Sequence, residues 1–196
     1  MKVLPHCLAI PIIVLLLTMN NLAAEKTLFD FCTYTNASGW QVLNDDVMGG
    51  VSTSSYTVTN GVALFRGEVS LENNGGFASV RSLPARQDLA NCDAFLIRVR
   101  GDGHRYKFTA RTDPSFDSAI YQIVFPTKKG EWEEHRLPMK DFVPTFRGRV
   151  LSGEPPLDPA KVTSVGFLIS DKQAGPFQLE VARITALKTS TPRASL

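Results

Sequence analysis

The sequence predicts an all-β protein, a single β-sandwich of jelly-roll type. Three observations carry that reading. Alternating apolar and polar runs recur from residue 25 to 188, no segment keeps a helical period for more than about two turns, and turn-forming clusters separate the runs without an internal repeat. Such a pattern describes about nine or ten short strands in one domain.

The elements follow in order. Residues 54–59 and 62–65 flank Asn60-Gly61, a dipeptide that supplies the two positive φ values of a type I′ hairpin turn. In residues 94–100, Phe95, Ile97 and Val99 alternate with Leu96, Arg98 and Arg100. Gly101-Asp102-Gly103 then turns the chain into 106–111, where Tyr106, Phe108 and Ala110 oppose Lys107, Thr109 and Arg111. Residues 119–125 are apolar enough for an interior strand. Residues 131–137 are charged as an outer strand is, and Lys128-Lys129-Gly130 turns between the two. Strands follow at 165–170 and 177–187. The stretch 138–159 reads as a Pro- and Gly-rich connection, in which Asp158-Pro159 supplies the N-cap and first residue of one short helix.

The ends are assigned from composition. An apolar run at 8–17 and the small residues Leu22-Ala23-Ala24 before Glu25 have the layout of a signal peptide over residues 1–24. The run is shorter than the roughly 20 residues a spanning helix needs, so no membrane span is expected after cleavage. The first arginine is Arg66, unlike an Arg-rich organelle presequence. A secreted or periplasmic protein is therefore expected, with the sandwich over 25–188 and a disordered tail over 189–196. Cleavage leaves Cys32 and Cys92, which form either one disulfide, contributing about 4 kcal/mol through a long loop, or two buried thiols.

Charge and motifs exclude several classes. With 21 Lys and Arg against 19 Asp and Glu, the chain lacks the basic excess of a nucleic-acid binder. His104 and His135 have no partner at metal-ligand spacing, so no metal or other cofactor is expected. Gly50-Val51-Ser52-Thr53-Ser54 lacks the final glycine of a nucleophile elbow, and no glycine cluster matches a phosphate-binding loop. The adjacent carboxylates Asp45-Asp46 and Glu133-Glu134 would point to opposite faces of a strand and cannot flank one bond. No enzyme is indicated.

Two loops stand out. Asn44-Asp45-Asp46-Val47-Met48-Gly49-Gly50-Val51-Ser52 and Leu71-Glu72-Asn73-Asn74-Gly75-Gly76-Phe77 each join hydrogen-bonding side chains, a glycine pair and an apolar residue. Each reads either as a turn closed on its own backbone, with the glycines at positive φ, or as a rigid polar rim presenting an apolar side chain to a ligand. In the second reading the loops lie side by side. Asp45 and Glu72 accept N–H bonds across the gap, Asn44, Met48, Asn73 and Asn74 face the partner, and Asp46 belongs to the same surface.

Both loops, with Trp40, Gly61, Phe65, Gly67, Ser79, Arg98, Arg100-Gly101-Asp102-Gly103, Tyr106, Tyr121, Trp132, Leu137-Pro138 and Phe142, resemble the complex I intermediate-associated protein 30 family over residues 29–187. The resemblance implies a galactose-binding-domain-like sandwich and a non-catalytic assembly or chaperone-like role, here in an exported member. The partner would be a protein or an unfolded segment. The alternative is a carbohydrate-binding module, with Trp40, Tyr56, Tyr121 and Trp132 available to stack on sugar rings and Arg81, Arg98, Arg111 and Gln122 to bond hydroxyls.

Overall fold

The computed structural model describes residues 25–33, 36–115 and 117–188. The leader assigned to 1–24 and the tail assigned to 189–196 lie outside the described residues. Within them, two antiparallel sheets pack face to face as a β-sandwich. The first sheet has the order β3 (Thr53–Thr59), β4 (Val62–Val69), β13 (Gly175–Lys188), β6 (Cys92–Arg100), β9 (Trp132–Pro138), with β1 (Glu25–Asp30) also paired to β13. The second runs β11 (Arg149–Val150), β10 (Val143–Phe146), β8 (Ile120–Pro126), β7 (Arg105–Arg111), β12 (Ser164–Ile169), β5 (Ala78–Ser82), β2 (Trp40–Asn44).

Period-two patterning explains the core. Phe65, Phe95, Ile97, Leu179 and Ile184 point inward from the first sheet and Tyr106, Phe108, Phe125, Phe167 and Ile169 from the second, all essentially without solvent contact. Phe108 sits at the centre, with ring centroids 5.1 Å from Phe95 and 5.4 Å from Phe167. Each such ring contributes roughly 2–3 kcal/mol of burial. Tyr106 buries its phenol as well, and the hydroxyl donates to the Asp102 carboxylate at 3.1 Å. Asp102 also accepts from the backbone N–H of Gln178 at 2.6 Å and of His104 at 3.1 Å. Burial pushes its carboxyl upward, but these bonds outweigh it and hold the group below the usual aspartate range.

The hairpin between β3 and β4 turns at Asn60 (φ 51°) and Gly61 (φ 78°), as a type I′ turn requires. The charged strand β9 is the outer strand of its sheet, and Trp132 lies there beneath the Arg98 and Arg100 guanidiniums, 5.7 and 5.0 Å from its ring. Asp158 caps the short 3-10 turn Pro159–Lys161, accepting from Ala160 N–H at 3.0 Å.

Two expectations are corrected. The 138–159 connection carries strands β10 and β11, which extend the second sheet beyond β8. Cys32 and Cys92 are both free thiols, one exposed and one buried. Phe31 bonds Ala182 of β13, whereas Cys92 pairs with Lys188 of the same strand. That separates the cysteines by about 20 Å along β13, far beyond the roughly 7 Å a disulfide spans.

Candidate functional site: a braced rim above a concave groove

The two glycine-rich loops meet at one carboxylate. Asp45, at the start of a 3-10 turn that follows β2, has no solvent contact. Its Oδ1 accepts from Ser52 N–H at 2.9 Å. Its Oδ2 accepts from the Ser52 hydroxyl at 2.5 Å and, from the second loop, Gly76 N–H at 2.7 Å and Phe77 N–H at 3.2 Å. Burial raises the Asp45 pKa, but the Ser52 hydroxyl and the three N–H donors outweigh it and keep the group ionised below the usual range. The Ser52 oxygen accepts in turn from Ser70 N–H at 3.0 Å, so the brace also reaches the end of β4. It ties β2 and β5 of the second sheet to β3 and β4 of the first.

Each glycine pair divides its work. Gly49 (φ 87°) and Gly76 (φ 129°) take backbone angles that a side chain disfavours. Gly50 and Gly75 leave room for the carboxylate, since a Cβ would stand 2.3 Å from Asp45 Cγ at Gly50 and 2.6 Å from Asp45 Oδ2 at Gly75. The expectation that both glycines of the first pair take positive φ is therefore corrected: Gly50 is needed for space.

The remaining candidate residues separate by role. Asn44 is half-buried and accepts from the Ser54 hydroxyl at 2.6 Å, joining β2 to β3. Asp46 and Met48 are exposed on the first loop, and Glu72, Asn73 and Asn74 on the second. Glu72 differs from expectation: the N–H of Gly75 bonds its backbone carbonyl, and its side chain accepts no bond across the gap. Asn73 (φ 54°) and Asn74 (φ 59°) are left-handed, so they shape their own turn as well as facing solvent. Arg81 lies apart from the loops, on the outward face of β5.

Below the rim the outward face of the second sheet forms a groove of about 490 Å³. Pairing registers set Arg81 beside Gly166, Gly166 beside Thr109, and Thr109 beside Gln122, in one row across four strands. Arg111 lies two residues further along β7, is 8 % exposed, and donates to Ser115 C=O at 2.8 Å and the Ser118 hydroxyl at 3.3 Å. Lys107 pairs with Asp171 at 2.7 Å on one wall. Val47, Met48 and Phe77 line the rim end, and Ile120 and Phe146 the far end. Lys107, Thr109, Arg147 and Asp171 were missed as site residues, because only the order of the strands brings them together. Among the described residues no group of three or more His, Cys, Asp or Glu could hold a metal ion, and no helix is long and apolar enough to cross a membrane.

The aromatics available for sugar stacking stand elsewhere. Trp40 packs on Phe29 and Tyr56, with ring centroids 4.8 and 5.0 Å away, and burial drives the Tyr56 pKa upward. Tyr121 is buried with its hydroxyl donating to Pro155 C=O at 3.1 Å, and Trp132 lies on the other sheet. Arg81, Arg111 and Gln122 line the groove; Arg98 does not.

Known proteins of similar structure share this architecture. The family 11 carbohydrate-binding module of a Clostridium thermocellum cellulase superposes with a TM-score of 0.66 at 14% identity, covering 87% of this chain and 98% of the module. An agarase superposes at 0.59 and 10% identity, over 85% of this chain and 25% of the enzyme. At such identities the likeness shows the fold alone. Sequence relatives are more specific. The mitochondrial complex I intermediate-associated protein 30 of Mus musculus is 28% identical over 177 residues, covering 80% of this chain and 54% of the relative. The Drosophila melanogaster protein of that name is 28% identical over 176 residues, with 78% and 60% covered. This chain thus spans little more than half the length of those relatives.

These relatives are mitochondrial, which overturns the secreted or periplasmic location expected from the leader. A short apolar N-terminal run reports hydrophobicity only, and that property does not by itself specify a compartment. Residues 29–181 match the sequence profile described as complex I intermediate-associated protein 30, and the chain belongs to that family.

Proposed function

We propose that this chain is a non-catalytic protein-binding module with an assembly or chaperone-like role, whose partner is a partly assembled protein, as its relatives are named for association with complex I intermediates. One observation carries the proposal: the braced loops hold large apolar side chains out in water. Val47, Met48, Val51 and Leu71 are 55, 59, 47 and 45% exposed, on or beside a frame fixed by a buried carboxylate. Apolar surface held in a rigid frame suits protein docking, because it loses hydration on contact without first having to be ordered. The carboxylate itself is occupied by four donors, which favours a structural over a proton-transferring role.

A glycan reading would call for an aromatic lying flat along the groove floor; the four candidates stand elsewhere, and the aromatics that line the groove, Phe77 and Phe146, are at its two ends. The test uses purified chain and its Val47→Asp/Met48→Asp variant, each incubated with detergent-solubilised respiratory-complex intermediates and resolved on native gels. The wild type should co-migrate with an intermediate containing complex I subunits and the variant should not, at matched melting temperature. Equal co-migration of both, or of neither, would overturn the proposal.

A further inference from the structure

We infer that the concave groove is a binding site for an extended acidic peptide segment, with Arg81 and Arg111 taking its carboxylate. The charge lacks an ion-pair partner at both arginines. Arg81 is half-buried, and among the described residues its guanidinium has no hydrogen-bond or ion-pair partner. Arg111 is more deeply buried and held by a carbonyl and a hydroxyl; Asp113 attracts it from two residues away but forms no ion pair with it. Burial lowers the pKa of both guanidiniums, and Arg81 further lowers that of Arg111 against a smaller opposing pull from Asp113, so the two arginine charges are close enough to repel. Two desolvated like charges are retained at a cost in stability, which an incoming anion would remove.

Between them the floor is open. Gly166 pairs with both Arg81 and Thr109 and puts no side chain there, and a Cβ would come within 2.3 Å of the Val80 carbonyl oxygen. The shape selects the carrier of the anion. From β2 to β10 the groove crosses five strand intervals, about 24 Å, which matches about seven residues of extended chain. Apolar side chains stand at its ends, Met48 and Phe77 at one and Phe146 beneath the Arg147 guanidinium at the other, while Arg81 and Arg111 sit on the floor between them. A single phosphate would fill a fraction of that length. A planar bilayer could not reach an arginine that is 8 % exposed on a concave floor. The peptide identity rests on the protein-binding reading; the anion site does not.

The test is fluorescence anisotropy with two labelled octapeptides of Leu and Ser, one with a central Glu and one with Gln there, against the full chain, Arg81→Gln, and Arg98→Gln on the opposite sheet. The Glu peptide should bind about tenfold more tightly than the Gln peptide, and added salt should narrow the gap. Arg81→Gln should erase the preference and Arg98→Gln should keep it. Arg81→Gln should also melt no lower than the wild type, because it relieves repulsion, whereas a purely structural arginine would lower the melting temperature. Equal binding of the two peptides would overturn the inference. So would Arg81-dependent binding of inorganic phosphate, or of phosphatidylcholine vesicles doped with phosphatidylserine, without binding of the Glu peptide. Loss of the Glu preference with native-gel association intact would overturn this inference alone and leave the apolar rim standing.

Discussion

Asp45, Asp102 and Asp171 are each held below the usual aspartate range, in every case by hydrogen bonds that outweigh burial, helped at Asp171 by Lys107. In the unfolded chain these groups take up protons near pH 4, whereas the folded chain resists them. Their stabilisation is therefore complete above about pH 4 and is lost as the pH falls through the depressed folded values. Replacing Asp45 by Asn turns an amide toward the four donors and should lower stability at pH 7 by about 2–4 kcal/mol. It should also flatten the acid limb of a melting-temperature titration. His135 adds an earlier loss: burial lowers its pKa, and its Nε2 is buried without a hydrogen-bond partner beside Phe125. Its stabilisation is present above about pH 6.5 and declines below it, so His135→Gln should level the melting temperature between pH 7 and 5.5. The thiols offer a separate check. Cys32 should react with a thiol reagent in the native protein, while Cys92, buried and with its pKa raised chiefly by burial, should react only on unfolding.

At the scale of elements, the two loops behave as one unit because a single carboxylate fills the space that Gly50 and Gly75 leave open. Gly75→Ala should cost about 1–3 kcal/mol by overpacking, and denaturant melts should show most of that cost disappear when Asp45 is also Ala. The loops were legible in the sequence as dense clusters of turn formers, and so was the β3–β4 hairpin, since Asn60-Gly61 permits few other backbones. The alternating strands β6 and β7 were equally plain, because each shows one polar and one apolar face. β10 and β11 were not. One has four residues and contains Pro144, the other has two; β10 is a strand only because β8 offers an edge to pair with, and β11 only because β10 then offers another. The groove was illegible for a related reason: Arg81, Thr109 and Gln122 are distant in sequence and align only once β5, β12, β7 and β8 are neighbours. The cysteines left two outcomes open because an even count carries no information about where along β13 each one's neighbours fall.

On the scale of the whole molecule, β13 holds the first sheet together. Its first half pairs with β4, its second half with β1, and β6 lies along its other edge. All three partners are made long before it, and β1 waits for a strand about 150 residues downstream. A nascent or translocating chain that has presented everything up to residue 174 therefore has three unpaired edges and an open core. Truncation there should abolish near-ultraviolet circular dichroism and amide-exchange protection in both sheets. With so many distant pairings to close at once, refolding of the full chain should be slow for its size, on the order of milliseconds to seconds. A protein that we propose attends to the incomplete states of others thus has a prolonged incomplete state of its own, during which the sticky edges of β4 and β6 are themselves in need of a guardian.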